Sequence, residues 1–211
     1  MADRELIFYF APHSRAGTTL WMLEELGVPY RMQLLNLQKG DQKTPDYLAI
    51  NPMGKVPAIR HGDIVVTEVA AICCYLADEC PEAGLAPPIG DPRRGTYLRW
   101  LFFSPSCIEP AMTDKAFQHA DRPSSTVGYG DFDTVMDVVA AAVSKGDYLL
   151  GDQFSAADVV LGSAVRYGMM FGIIPKRPEF EAYGARLAQR PALIRAEARD
   201  RELAAAAEQS A

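Results

Sequence analysis

Asn51-Pro52-Met53-Gly54-Lys55-Val56-Pro57-Ala58-Ile59 sets two prolines, a glycine and a lysine directly ahead of a short apolar run, with Glu68 following. Pro57 has no N–H to donate, so it cannot sit inside a sheet ladder. An X-Pro bond at the mouth of a strand is where a cis peptide costs least. A cis bond here turns the backbone of Val56 outward and leaves its N–H and C=O to pair with something other than this chain. The expectation is an extended, peptide-like ligand at Val56.

The flanking segments supply a sheet for that strand. Leu6-Ile7-Phe8-Tyr9-Phe10 is wholly apolar and aromatic, as a strand buried on both faces would be. Ala11-Pro12-His13-Ser14 breaks it. Ala16, Leu20 and Leu23, with Trp21 and Leu26 alongside, then give a helix ended by Gly27. Residues 30–37 alternate as a second strand. The polar stretch 38–46 carries Gly40 and Pro45 and reads as loop, followed by a helical turn at Tyr47-Leu48-Ala49. Residues 56–60 and 64–66 form a hairpin about His61-Gly62-Asp63. Thr67 is placed to cap a helix through Ala70, Ile72, Cys73 and Leu76. A strand–helix–strand unit crosses over right-handed and yields a parallel pair, and the hairpin adds antiparallel strands. The expected first domain is thioredoxin-like and spans residues 1–80.

Residues 81–92 contain Pro81, Gly84, Pro87, Pro88, Gly90 and Pro92, the composition of a linker. Beyond it helical periodicity takes over, broken at Ser104-Pro105-Ser106, at 121–129 and at 175–178. An all-α domain over 93–211 follows, its alanine-rich end at 201–211 a fraying helix or loose tail. Phe154-Ser155-Ala156-Ala157-Asp158 is an S-x-x-D capping arrangement, a structural device at the start of a core helix.

Composition narrows the function. The chain has 211 residues, 49% hydrophobic and 23% charged, as ordinary globular proteins do. A formal charge of −6 offers no basic stripe for nucleic acid. No segment approaches the roughly 20 uninterrupted apolar residues of a membrane span. Met1-Ala2-Asp3-Arg4-Glu5 carries both signs of charge, unlike a signal peptide. Cys73, Cys74, Cys80 and Cys107 have neither zinc spacing nor a C-x-x-C pair, so they read as buried thiols of a cytoplasmic protein without metal.

Taken together, Asn51-Pro52-x-Gly54-Lys55-Val56-Pro57-Ala58, Glu68, the helical signature from Leu20 to Tyr30 and Phe154-Ser155-x-Ala157-Asp158 resemble the cytosolic glutathione S-transferases, bacterial and fungal members in particular. The resemblance covers essentially the whole chain. It implies that Val56, ahead of Pro57, pairs with the cysteinyl unit of glutathione as one rung of strand addition. It implies that Glu68 holds the γ-glutamyl ammonium, and that Lys55 and Gln42 grip the glycyl carboxylate. The family usually has serine or threonine after the glutamate, where this chain has Val69. The N–H remains and a hydroxyl is lost, so weaker glutathione affinity is expected.

Conjugation needs the thiol as thiolate, and its pKa is lowered by a hydrogen-bond donor, a positive charge or a helix N-terminus. The loop after the first strand supplies Ser14 as donor and Arg15 as cation. Tyr9, where tyrosine-type members keep their phenol, is the alternative. The loop has no cysteine, against mixed-disulfide chemistry. Phe10 and His13, with Phe102, Phe103, Ser106, Ile108 and Met112, are the expected walls of an electrophile site between the loop and the second domain. The resemblance thus implies a homodimeric enzyme that adds glutathione to small electrophiles or reduces hydroperoxides. A non-catalytic binding or regulatory protein of the same fold is the other reading, favoured by Val69.

Overall fold

In the computed structural model, which describes residues 4–118 and 123–209, the sheet is built as the apolar runs dictate. Residues 1–3, within the charged amino-terminal stretch, 119–122, at the break expected over 121–129, and 210–211, at the end of the tail, lie outside the described residues. Strand β1 is Leu6–Phe10, β2 Arg31–Leu34, β3 Ala58–His61 and β4 Ile64–Thr67. They form one four-stranded sheet in the order β2-β1-β3-β4. β1 runs parallel to β2, and the β1–β3 and β3–β4 pairs are antiparallel.

Helix α1 (Ala16–Leu26) ends at Gly27, whose φ of 63° is left-handed and whose N–H caps Leu23. Helix α2 (Pro45–Leu48) starts earlier than its sequence suggests, because Thr44 Oγ1 accepts from Tyr47 N–H and Pro45 sits in the first turn. Helix α3 (Val69–Glu79) follows β4. Its cap differs from expectation: Thr67 closes β4, and Glu68 is the N-cap residue, without a side-chain capping bond. β2 is shorter than the alternation over 30–37 suggests, since it is an edge strand whose residues are mostly exposed.

The chain divides into two compact units, Met1–Ala83 with Arg190–Ala211, and Gly84–Gln189. The final helix α9 (Pro191–Gln209) therefore belongs with the sheet and not with the helical domain expected over 93–211, and it continues into the alanine-rich stretch expected to fray. Side-chain charges dock it. Arg190 forks onto Glu25 of α1 at 2.6 and 2.8 Å, Arg195 Nε donates to Glu24 at 2.7 Å, and Trp21 Nε1 donates to Glu25 at 2.8 Å. Bidentate guanidinium–carboxylate pairs are among the stronger polar contacts available.

The second unit contains α4 (Arg94–Phe103), α5 (Glu109–Ala116), α6 (Phe132–Val143), α7 (Ala156–Met170) and α8 (Pro178–Ala188). The break expected at Ser104-Pro105-Ser106 is a π-helical turn over Ser104–Ile108, which lets Pro105 pass without ending the helical path. Asp158 lies at the heart of this unit, fully buried. Its carboxylate accepts from Leu149 N–H, Tyr183 O–H and Ser155 N–H at 2.9 Å and from Ser155 Oγ at 3.0 Å. The capping arrangement thus also anchors the 148–153 turn and α8. Gly162 of α7 has no Cβ because Leu187 of α8 occupies that space.

Candidate active site

Strand register brings the site together. Ala58 pairs with Thr67 in the β3–β4 ladder and with Tyr9 in the β1–β3 ladder. Continuing the register one step sets Pro57 beside Glu68 on one side and beside Phe10 on the other. Leu35 N–H donates to Phe10 O at 2.9 Å, so the loop after β2 leaves from the same end of the sheet. Four segments distant in sequence therefore meet at one edge: residues 11–15, 35–44, 51–57 and the start of α3.

The Val56–Pro57 bond is cis. β3 begins at Ala58, and neither the N–H nor the C=O of Val56 has a backbone partner among the described residues. The peptide ahead of it is firmly held. Lys55 O accepts from Tyr47 O–H at 2.6 Å and from Asn51 Nδ2 at 2.8 Å, while Asn51 Oδ1 accepts from Met53 N–H at 3.1 Å. Burial, with the nearby Tyr9, raises the Tyr47 phenol to about 12, so it stays protonated and donating. The result is an open backbone rung on a rigid base. Tyr47 and Asn51 are the residues that sequence reasoning missed as its supports.

Glu68 is exposed, with φ 66° and ψ 122°. A non-glycine residue in that region stores strain of roughly 1–3 kcal/mol, a condition that clusters at ligand clamps. Its C=O accepts from Ile72 N–H at 2.8 Å, so its backbone starts α3 while its carboxylate makes no capping bond. Half-buried Val69 is the first residue of the helix, where N–H groups lack intrahelical partners. Lys55 is exposed beside Val56.

Gln42 departs from its expected role. Its Nε2 donates to Leu37 O at 3.2 Å and its Oε1 is buried without a partner, so the side chain is folded into its own loop. Lys43, next to it, reaches the turn ahead of the rung. Its Nζ donates to Met53 O at 3.4 Å, and it fills the space a Cβ on Gly54 would need. Nothing in the spacing of the loop singles out Lys43, because the contact depends on the turn at Asp41–Lys43.

At the loop after β1, Ser14 is half-buried. Its Oγ donates to Ala11 O at 2.7 Å and accepts from Ala16 N–H at 3.1 Å. The hydroxyl is thus fixed just before α1, whose N-cap residue is the exposed Arg15. Tyr9 is half-buried and packs its ring edge-on to Tyr47 at 5.6 Å. His13 is exposed, with φ 53°.

Two electrophile-wall assignments are corrected by burial. Phe10 and Ile108 are both 0% exposed, so they are core residues of their respective units. Phe10 shares a strand face with Phe8 by the period of two, and their rings pack at 5.5 Å. Phe102 is exposed, Phe103 packs edge-on to Trp100 at 5.2 Å, and Met112 is half-buried. Ser106 lines a broad, open depression on the second unit, with Glu109, Thr113, Asp114 and Tyr129 among its other residues. Tyr129 O–H donates to the buried Asp114 there at 2.7 Å.

The chain is 32% identical to a probable glutathione S-transferase of Oryza sativa subsp. japonica over 192 residues, 82% of this chain and 87% of that protein. It belongs to the glutathione S-transferase family. The family's N-terminal domain model matches residues 14–79 of this transferase, and its C-terminal domain model matches residues 109–191. A glutathione transferase structure from Methylococcus capsulatus is 30% identical, with 92% of this chain and 98% of that one covered and a TM-score of 0.76. A homologue from Sulfitobacter, 27% identical over 92% of this chain and 98% of its own, with a TM-score of 0.74, was solved with bound glutathione. The thioredoxin-like first unit and all-helical second unit of this transferase are the family fold. Among the described residues no helix is long and apolar enough to cross a membrane. Among the described residues, too, no group of three His, Cys, Asp or Glu side chains could hold a metal ion.

Proposed function

We propose that this transferase binds glutathione along Val56 and activates its thiol with Ser14, as a serine-type member of the bacterial and fungal kind. The observation that carries the reading is the convergence, by strand register, of an unpaired backbone rung at Val56 with the strained, exposed Glu68 and the Ser14 loop. The cysteinyl unit pairs with Val56, the γ-glutamyl ammonium meets Glu68, and the adjacent carboxylate takes the free N–H groups at the start of α3. Lys55 and Lys43 supply positive charge for the glycyl carboxylate; Gln42, folded into its loop, takes the lesser part.

In this reading the Ser14 proton turns from Ala11 O to the sulfur once the thiol has lost its proton to solvent. The α1 N-terminus and Arg15 add favourable potential for the thiolate. The thiolate then attacks an electrophilic carbon, forming the S–C bond as the leaving group departs with its electron pair. The electrophile in this reading is a small apolar or aromatic molecule or a hydroperoxide. The same reading places the enzyme in the cytoplasm as a homodimer, which sedimentation tests.

Retention on glutathione-agarose combined with a chlorodinitrobenzene assay tests the activity. Retention with turnover supports it; retention without turnover of any electrophile or hydroperoxide leaves a binding module. Thiolate formation, followed by ultraviolet difference absorbance in Ser14→Ala and Tyr9→Phe, assigns the donor. A titration that moves only in Tyr9→Phe overturns the serine assignment.

A further inference from the structure

The Ser14 loop is held from outside as well as from within. Asp200, on α9, accepts from His13 N–H at 3.3 Å through Oδ1, and its Oδ2 lies 3.4 Å from His13 Nδ1. His13 is the loop residue with φ 53°, a left-handed conformation that L side chains adopt uncommonly. Its neighbour Ser14 takes its direction from that turn, and its hydroxyl closes the loop onto Ala11 O and Ala16 N–H. The Asp200 carboxylate is 20% exposed and the imidazole 68%, so the contact with the ring is open to solvent, and the bond to the backbone N–H is the one that bears on the course of the loop.

Asp200 is itself well placed to act as a fixed point. Helix α9 is tied to α1 by Arg190–Glu25 and Arg195–Glu24, and α1 is the helix into which the Ser14 loop leads. Loop, α1 and α9 thus form a closed clamp within the first unit, with its pins at both ends of α1.

We propose that Asp200 is a positioning residue for thiol activation: by holding His13 N–H it fixes the backbone from which Ser14 addresses the sulfur. The proposal rests on the serine reading above and adds to it a requirement for the carboxyl-terminal helix. The anchors for the tripeptide lie on other segments, at Val56, Glu68 and Lys55. Loss of Asp200 therefore falls on the chemical step and spares the binding of glutathione.

The test compares Asp200→Ala, Asp200→Asn and wild type in four readouts: amide exchange at His13 and Ser14, the bound-thiol titration, kcat against glutathione KM, and the denaturation midpoint. In Asp200→Ala, loss of this solvent-exposed hydrogen bond to a charged group speeds exchange about two- to fivefold, moves the titration upward and lowers kcat by about the same factor at nearly unchanged KM. Asp200→Asn, which keeps an acceptor for the N–H, restores most of that loss. Unchanged exchange and kcat in Asp200→Ala overturn the proposal. So does a joint fall of kcat, glutathione affinity and denaturation midpoint, which marks a general prop of the fold. Ser14→Ala run in parallel separates the two readings. An unmoved titration there overturns the serine assignment, whereas unmoved exchange at His13 in Asp200→Ala overturns the clamp.

Discussion

Replacing Glu68 by glycine is expected to make the protein more stable and poorer at holding glutathione. The residue is exposed, makes no capping bond and has φ 66° and ψ 122°. Glycine relieves strain of roughly 1–3 kcal/mol at such a backbone. Its larger unfolded-state freedom takes back about 0.5–1 kcal/mol, and glycine at an N-cap costs only a few tenths more. The net change is a gain of about 0–2 kcal/mol, read from urea denaturation midpoints. Binding moves the other way. Removing the carboxylate proposed to meet the ammonium forfeits about 1.5–3 kcal/mol, a weakening of roughly 10- to 150-fold in a calorimetric titration with glutathione. Glu68→Gln separates the two effects: it keeps the strained backbone and loses the charge, so its stability stays near wild type while its affinity falls. Glutathione affinity unchanged in both variants refutes the assignment of Glu68. A Glu68→Gly protein destabilised by more than about 1 kcal/mol refutes the strain argument.

Other perturbations probe the rest of the account. Val69→Ser restores a hydroxyl at the start of α3 and is expected to tighten glutathione binding by about tenfold or more, measured by the same titration. Tyr47→Phe removes one of the two donors holding Lys55 O and is expected to cost about 1–2 kcal/mol of stability, with a rise in glutathione Kd. Asp158→Ala strands the buried Leu149 and Ser155 N–H groups and the Tyr183 hydroxyl, and at about 1–3 kcal/mol each it takes several kcal/mol from the folded state, visible as a large fall in denaturation midpoint. His61 is fully buried, its Nδ1 on Tyr75 O–H at 2.8 Å, and burial with the nearby Arg4 lowers its pKa. The unfolded chain protonates this histidine near its ordinary value of about 6.5, whereas burial in the fold disfavours its charged form. Its contribution to stability is therefore present above that pH and is lost as pH falls below it. Urea midpoints at pH 7.5 and 5.5 should differ in that sense, by less in His61→Gln.

Much of the site was legible because it rests on residue types with narrow backbone options. Pro57 after Val56, the glycine and asparagine ahead of it and the hairpin at Gly62 each signal their local geometry, and the strand pattern then sets the register that joins Pro57 to Glu68. The reading weakened where a role depends on distant packing. No local feature foretells a positive φ at Glu68 or His13, since both are imposed by the turns around them. Gln42 and Lys43 are adjacent in sequence, and only the turn of their loop shows which reaches Met53 O. The alanine-rich stretch 201–211 reads as a loose end because the docking of its helix lies upstream, in Arg190 and Arg195 paired with Glu25 and Glu24 of α1. Phe10 was within reach of the strand period, which puts it on the buried face with Phe8. Ile108 was not, because the π-helical turn shifts the helical phase there.

The central claim is that glutathione adds a strand rung at Val56 with its sulfur delivered to Ser14, and a crystal structure of the glutathione complex tests it most directly. The account predicts the cysteinyl N–H and C=O within about 3 Å of the Val56 backbone, the γ-glutamyl ammonium on Glu68 and the sulfur in hydrogen-bond reach of Ser14 Oγ. A tripeptide that leaves Val56 unpaired, or whose sulfur is directed to the Tyr9 phenol instead, contradicts it.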